Sequence, residues 1–429
     1  MPNLVSGRDF LQIRDAARVL GVTPKTLRNW DRAGHLRAHR HPINGYRLYR
    51  VGDLHALLDR LAELTGHEAA PVEQLNFLLE PSAGPSGAPA EVTDAGLPPC
   101  HWTRAVALDP KHRPQRWDAP ATTVRRDWRK FPQEAHVLDV EEKRYRRLAV
   151  DEVALLQGLD PRTFDWGGLT ERQRIAALGD AVAPPLAAAL VTAIGEEWQW
   201  EQRTAVEICA GIGGLARGAV AAGLEHLLLI DASDVCAEIL RHQHPWTSSR
   251  VIEDDVRKFD FSAFAGRVGL LSGGPPCQPW SQSGHRRGQA DRRDLLGMTP
   301  ELLATIRPEV FLFENVPGLA MFDEGRYLNK LIECLRQPAR TLRYGVLVAV
   351  LNAADFGVPQ VRKRVFVLGF RNQPGSRAAR CFERVAGLAT HRDPSLPDDG
   401  RQPWRTVGEV LAEREDPGGW RRWIGGDPE

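Results

Sequence analysis

A charge imbalance is the first thing this chain lacks: its 429 residues carry 56 Lys and Arg against 55 Asp and Glu, a formal net charge of +1. Global attraction to a polyanion is therefore no argument for a partner, and only local charge can be one. Long apolar runs are missing too. No window holds eighteen unbroken apolar residues, and Met1 to Gly21 has charges where a signal peptide would be apolar. A membrane partner and an export signal are thus not expected, and the expected compartment is the cytoplasm. Cysteine is sparse and scattered, at Cys100, Cys209, Cys236, Cys277, Cys334 and Cys381, with no CxxC and no Cys/His cluster of metal spacing. That pattern excludes a disulfide framework and leaves no metal to expect. What remains, 42% hydrophobic and 26% charged, is an ordinary globular composition, and the length suggests two or three domains.

Residues 1–65 form a unit with its own charge, eleven Lys/Arg against six Asp/Glu. Residues 66–100 read as a linker, because Pro81 to Pro99 is dominated by Pro, Gly, Ala and Ser. Residues 101–200 are mixed, with seven Lys/Arg against two Asp between Lys111 and Lys130, then an Ala/Leu-rich helix beginning near Pro185. From 201 to 371, apolar runs of strand length, Ala205 to Ala210, Leu215 to Ala222, Leu227 to Ile230, Val235 to Leu240, Val268 to Leu271, Val310 to Phe313, Val346 to Leu351 and Val365 to Phe370, alternate with helical segments. Such alternation implies an α/β fold with a mostly parallel sheet covered on both faces. Residues 372–429 make a separate C-terminal part.

In the first unit, helical spacing from Leu11 to Leu20, a stop at Gly21 and a second helix opened by Thr23 and Pro24 give a helix-turn-helix layout. The second helix would present Lys25, Arg28 and Asn29 to phosphates and base edges. Asn44-Gly45, within INGYRLY, signals a hairpin carrying Arg47. The segment Ile13 to Leu58 resembles the winged helix-turn-helix heads of the MerR and excisionase families, which implies binding to double-stranded DNA. A protein-docking winged helix is the blander alternative.

VEICAGIGGL, residues 206–215, reads as a strand, a turn at Gly211, Gly213 and Gly214, and a helix. Glycines there let backbone approach a ligand in front of helix N–H groups. Asp231 ends the next strand, where an acid can take both hydroxyls of a ribose, and Asp255 could accept from an adenine amino group. By themselves these residues fit tight turns equally well. GLLSGGPPCQPWSQSG, residues 269–284, places Cys277 in a stiff turn at the carboxyl edge of the sheet. A thiol there needs electropositive neighbours or substrate-assisted deprotonation to become a nucleophile. Glu314 and Asn315 end one strand, and Gln360, Arg362 and Arg364 lie near another, the two arginines at a spacing that shares one strand face.

Together AGIGG, PPCQPWS, ENV and QVRKR resemble the DNA cytosine-5 methyltransferase family, in the family's order and over roughly 170 residues. The resemblance implies a Rossmann-like S-adenosylmethionine-dependent methyltransferase sheet with a small DNA-recognition domain. It implies catalytic roles for Cys277, Glu314, Arg362 and Arg364. It also implies cofactor contacts from Ala210, Gly211, Gly213, Gly214, Leu215, Asp231, Asp255, Pro275, Leu295 and Asp180, and DNA contacts from Gln278, Ser281 and Ser283. Cys277 would add to C6 of a flipped cytosine, Glu314 would serve the N3 proton and Arg364 the O2 atom.

Two segments that usually end the family's order come first here: RRLAVDEVALLQGLDP at 146–161 and QRIAALGDAVAPP at 173–185. The chain therefore looks circularly permuted, with a target-recognition region split between Pro98 to Arg129 and Arg371 to Glu429, where Trp404, Trp420, Arg421, Arg422 and Trp423 are candidate DNA contacts. It departs from the family at Ala149 for Thr, Asp180 for Asn and Cys209 for Phe. A cognate restriction enzyme is a compatible partner. Two other functions stay open: a DNA-binding regulator with a catalytically silent methyltransferase fold, and a tRNA cytosine-5 methyltransferase.

Overall fold

The structure is a computed structural model that describes residues 10–12, 16, 27, 31, 36–40, 47–50, 114–129, 132–243, 245–246, 250–276 and 294–423. The chain divides into two compact units, Met1–Ser82 with Pro317–Leu331, and Ala83–Val316 with Ile332–Glu429.

In the first unit β1 (Phe10–Gln12), β2 (His39–Arg40) and β3 (Arg47–Arg50) make an antiparallel sheet in the order β1-β3-β2. Strands β2 and β3 pair antiparallel on either side of 41–46, and Asn44 and Gly45 lie outside the described residues. The helix expected from Leu11 begins later. Leu11 and Gln12 pair with Tyr49 and Leu48, so the wing strand claims the backbone groups that helical spacing had assigned to a first turn. Tyr49 is fully buried and donates its hydroxyl to the Leu27 carbonyl oxygen at 3.2 Å, joining wing to helix. Lys25, Arg28 and Asn29 lie outside the described residues, as does the side chain of Arg47.

The second unit begins with β4 (Gln115–Arg116), β5 (His136–Asp139) and β6 (Arg144–Arg147), followed by helices α1 (Val150–Leu156), α2 (Glu171–Asp180) and α3 (Pro184–Glu197). Helix α2 starts at a reciprocal cap between Thr170 and Gln173, and α3 has prolines in its first turn, where a missing N–H costs nothing. Glu171–Glu197 is one stretch long and apolar enough to cross a membrane by length and composition, but it breaks at 181–183 and 61% of its most apolar window is buried in the protein's own core.

Then come β7 (Thr204–Ile208), α4 (Gly214–Ala221), β8 (Glu225–Asp231), α5 (Asp234–Arg241), β9 (Val251–Glu253), β10 (Leu270–Gly273), α6 (Thr299–Ile306), β11 (Val310–Asn315), β12 (Tyr344–Asn352), β13 (Lys363–Arg371) and α7 (Gly375–Gly387). Seven strands form one sheet in the order β12-β13-β11-β10-β7-β8-β9, parallel except for β13, which runs antiparallel to both neighbours. The central strands are buried along their length, as two covered faces demand. Helix α3 packs between α4 and α7. At Gly218 of α4 an added Cβ would lie 2.6 Å from the Ala187 carbonyl, so only glycine permits that approach.

The tail supplies β14 (His391–Arg392), β15 (Gln402–Pro403), α8 (Val407–Leu411) and β16 (Arg421–Arg422). It threads back onto residues 114–147: Val407 and Gly408 donate to the carbonyls of Ala119 and Trp117, and β16 completes a sheet ordered β16-β6-β5-β4. The two stretches expected to share target recognition thus lie together.

The connection from α3 to β7 is held by Glu309, 1% exposed, which accepts from Trp198 Nε1 at 2.6 Å, Glu201 N at 3.1 Å and Gln202 N at 2.7 Å. Glu309→Ala leaves these donors without their carboxylate and is expected to cost about 2–4 kcal/mol, read as a lower urea midpoint.

Candidate active site

The turn after β7 stands at the carboxyl end of the parallel strands β7, β8 and β10. Cys209, Gly211 and Gly213 all take left-handed backbone, with φ of 47°, 56° and 79°. The glycines do different work. A Cβ on Gly211 would meet nothing within 4 Å, so its face is open to a ligand, whereas one on Gly213 would strike the Trp246 ring at 2.7 Å and one on Gly214 the Val182 carbonyl oxygen at 2.1 Å. Ala210 and Leu215 are buried behind the turn. Asp231, at the end of β8, accepts from Gly211 N and Ser233 N, both at 2.8 Å, and burial pushes its carboxyl up. Asp255 is engaged by Arg257, whose backbone N–H and guanidinium hold its carboxyl down at about 2. Asp180, the last residue of α2, pairs with Arg126. Leu295 is half-buried just before α6. Burial lifts the thiols of Cys209 and Cys236, the latter to about 12, so neither is a nucleophile at neutral pH.

Strand ends from the middle of the sheet build the other side. Glu314 Oε1 lies 2.9 Å from Arg364 Nε, with both side chains nearly buried. Burial raises the Glu314 carboxyl, while Arg364 and Arg362 pull the other way. Asn315 Nδ2 donates to the Pro275 carbonyl oxygen at 3.0 Å, and a Cβ on Gly274 would lie 3.3 Å from Glu314 Oε2. The chain that leads into Cys277 is therefore tied directly to the Glu314 strand. Cys277, Gln278, Ser281 and Ser283 lie outside the described residues.

Arg362 stands elsewhere than expected. It is 1% exposed, and its guanidinium donates to the carbonyls of Val124, Gly179 and Ala181 at 3.4, 2.9 and 2.7 Å. Burial and the neighbouring Arg364 both push its pKa down. Gln360 works beside it, donating to the Leu156 carbonyl and Gln157 Oε1 and accepting from Val124 N. Arg362 thus positions these chain segments, with Nη1 and Nη2 committed to backbone oxygens. Glu152 likewise braces α1 with a bidentate pair to Arg146 at 2.6 Å and a bond from Ala149 N.

Three tryptophans proposed for DNA face inward. Trp404 donates to Asp355 at 2.8 Å, Trp423 is buried against Leu138 and Tyr145, and Trp420 stacks under the guanidinium groups of Arg144 and Arg146 at 4.4 and 4.7 Å. Arg421 and Arg422 remain exposed.

Motif reading missed a buried network beneath the glycine turn. Glu207, 1% exposed, accepts from Ser272 Oγ at 3.0 Å, and burial pushes its carboxyl up to about 8. His226 accepts on Nδ1 from Trp246 Nε1 at 3.3 Å, and burial lowers its pKa to about 4. An indole only donates, so the neutral imidazole carries its proton on Nε2, which faces Glu207 Oε2 at 4.0 Å. The signal was a lone acid inside an apolar strand.

A seven-stranded sheet with one reversed strand near its edge, and a glycine turn after β7, defines a methyltransferase fold. A family model described as C-5 cytosine-specific DNA methylase matches residues 100–196 and 204–412, and the chain belongs to that family. A second model, the MerR family regulatory protein, matches residues 12–49. The chain is similar to the Type II methyltransferase M.PspPI of Psychrobacter sp. (strain TA137), 41% identical over 169 residues that make up 39% of each chain. It is also similar to the Type II methyltransferase M.NgoMIV of Neisseria gonorrhoeae, 33% identical over 221 residues, 51% of this chain and 63% of that one. It therefore spans less than two thirds of the length of either relative. Among solved structures, the S. pombe Dnmt2 methyltransferase aligns at 24% identity over 40% of this chain and 52% of its own, with a TM-score of 0.33.

Arg362→Met removes the donors to three buried carbonyls and is expected to cost about 3 kcal/mol, measured by urea unfolding.

Proposed function

We propose that the chain transfers a methyl group from S-adenosylmethionine to C5 of cytosine in double-stranded DNA. The Glu314–Arg364 pair carries the reading, because Asn315 ties the same strand end to Pro275, two residues before Cys277. The open face of Gly211 and the acid at Asp231 fit a nucleoside-bearing donor. When bound, that donor supplies an electrophilic methyl group. Asp231 would take the ribose hydroxyls and Asp255 the adenine amino group, with Pro275, Leu295 and the glycine turn as walls.

Cytosine C5 is a poor nucleophile until something adds at C6. The Cys277 thiolate adds there, Glu314 holds the proton at N3 and Arg364 binds O2, so C5 becomes the carbon of an enamine. After transfer, loss of the C5 proton and departure of the thiolate restore the ring. The ring face must be exposed for this, so the base leaves the stack, with Gln278, Ser281 and Ser283 meeting the DNA around it.

The chain is a circularly permuted member of its family on this reading: residues 146–161 and 173–185 precede the sheet, and α3 packs against α4 with Glu309 bracing the join. Residues 1–65 are the winged domain, 66–100 a linker, 101–200 the transposed segment, 201–371 the catalytic core and 372–429 the rest of target recognition. The winged domain, by its Lys and Arg excess, supplies part of the DNA affinity.

Methyl incorporation into plasmid DNA, mapped by bisulfite sequencing, is expected from purified protein and lost in Cys277→Ser; an oligonucleotide with 5-fluorocytosine should trap a covalent adduct. Incorporation into tRNA alone, or none at all, sinks the proposal. Deleting residues 1–65 is expected to weaken DNA binding about tenfold or more at moderate salt, and an unchanged affinity and site preference would remove the winged domain from recognition.

The pH profile has a defined sign. Burial holds Glu314 neutral to higher pH than an ordinary carboxyl, and the acid form is the one the reaction uses. The value of kcat should therefore fall as pH rises through that raised pKa. Glu314→Gln should lower kcat by about 100-fold or more and abolish that limb.

A further inference from the structure

A recess of about 550 Å³ lies in the second unit, lined by residues that take no part in the chemistry above. Arg147 at the end of β6, Glu171 and Arg174 at the start of α2, and Pro417 and Gly418 just before β16 meet there. Ala149 also lines it, and where the family pattern has the larger Thr it leaves this wall less crowded.

Neither guanidinium is fully spent on the fold. Arg147 Nη2 donates to Glu171 Oε1 at 2.7 Å, and both side chains stay more than half open. Arg174 Nε donates to the Leu169 carbonyl oxygen at 2.8 Å. The remaining donors, Nε and Nη1 of Arg147 and both Nη atoms of Arg174, have no acceptor among the described residues. One carboxylate thus faces two guanidiniums, and the recess keeps an uncompensated positive charge.

The mounting is stiff. Arg147 stands over the Trp128 ring at 5.8 Å and Arg174 over the Trp166 ring at 6.0 Å, contacts that hold a guanidinium by its face and leave N–H edges for a ligand. Arg146, next to Arg147, is locked to Glu152 by two bonds of 2.6 Å. The wall at Pro417 and Gly418 is a built turn, since Asp416 accepts from Gly418 N at 2.9 Å and from Trp420 Nε1 at 2.6 Å.

Two fixed guanidinium edges without acceptors match the oxygens of a phosphate, which they bind by paired, charge-assisted hydrogen bonds. The sheet beside the recess says which phosphate. Arg421 and Arg422 of β16, both exposed, pair with Tyr145 and Arg144 of β6, the strand that ends in Arg147. Cations therefore continue from the recess along one sheet, as a polyanionic strand requires. We propose that Arg147 and Arg174 hold one backbone phosphate of the DNA, with Glu171 orienting Arg147. Such a contact adds affinity and fixes the placement of the duplex without reading its sequence. It rests on the DNA reading above.

Duplex binding by the full-length protein, measured by fluorescence anisotropy over a range of salt, tests the contact. Arg147→Gln and Arg174→Gln are each expected to weaken binding about 3-fold to 30-fold at moderate salt, equally on methylatable and unrelated duplexes. The double variant should flatten the slope of log K against log salt by about one, as for one phosphate lost. Arg147→Lys and Arg174→Lys keep the charge and should restore that slope, whereas lost packing alone would lower the urea midpoint and leave the slope as it was. A single neutral methylphosphonate, moved along the duplex, should reveal one position at which the unsubstituted protein loses affinity and the double variant loses none. An unchanged slope in the double variant, or a loss confined to one DNA sequence, overturns the contact. Calorimetric binding of inorganic phosphate that both substitutions abolish, with duplex affinity unchanged, would assign the recess to a free phosphate and overturn the DNA source. If the unsubstituted protein binds no duplex, the DNA reading itself falls, a failure visible without any substitution.

Discussion

Arg362 reaches the carbonyls of Val124, Gly179 and Ala181 from the edge of β13, and Gln360 reaches Leu156 and Gln157 two residues earlier. These bonds join the segment before the sheet to the strand that carries Arg364. Removing a guanidinium from water is costly, and the three carbonyls offset that cost in part, since Nε has no acceptor among the described residues. The set here is almost all backbone oxygen, so it depends on chain path more than on side-chain identity. The 179–182 turn, Gly214 behind it and Asp180 on it take their positions from this clasp. Glu314 and Arg364 face one another across two strands whose register the same clasp helps to set.

The glycine turn is pinned from both sides. Val182 presses on Gly214 and Trp246 on Gly213, so two of its three glycines are packing requirements, and Gly211 alone keeps an open face. Precision at the turn thus comes from what surrounds it. The tail beyond residue 371 follows the same pattern, since its tryptophans bury themselves against residues from earlier in the chain and leave Arg421 and Arg422 outside.

Much of this was legible in the sequence, for reasons that show where legibility ends. Strands buried on both faces write themselves as continuous apolar runs, and glycines between a strand and a helix mark a turn, so β7, β10, β11 and β13 and the 211–214 turn could be located. Leu215 to Ala222 and Val235 to Leu240 are equally apolar but became α4 and α5, and periodicity over so few residues does not separate the two. Spacing put Arg362 and Arg364 on one side but said nothing of depth, which decides whether an arginine meets a ligand or anchors a backbone. Trp404, Trp420 and Trp423 read as DNA contacts only while their acceptors and stacking partners were far off in the text, Asp355 by 49 residues and Arg144, Arg146 and Leu138 by more than 200.

Glu207 gives the protein an alkaline weakness. Its carboxyl is neutral in the folded state up to about pH 8, while in an unfolded chain it would ionise near its ordinary value of 4.5. Folding therefore retains a proton that the unfolded chain releases, and the stability that this group contributes, full in acid, drains away as the solution passes from mildly acidic to mildly basic. Since Ser272 and the facing imidazole share that enclosed space, mild alkali would be felt under the turn, at a pH where surface carboxylates have long been ionised.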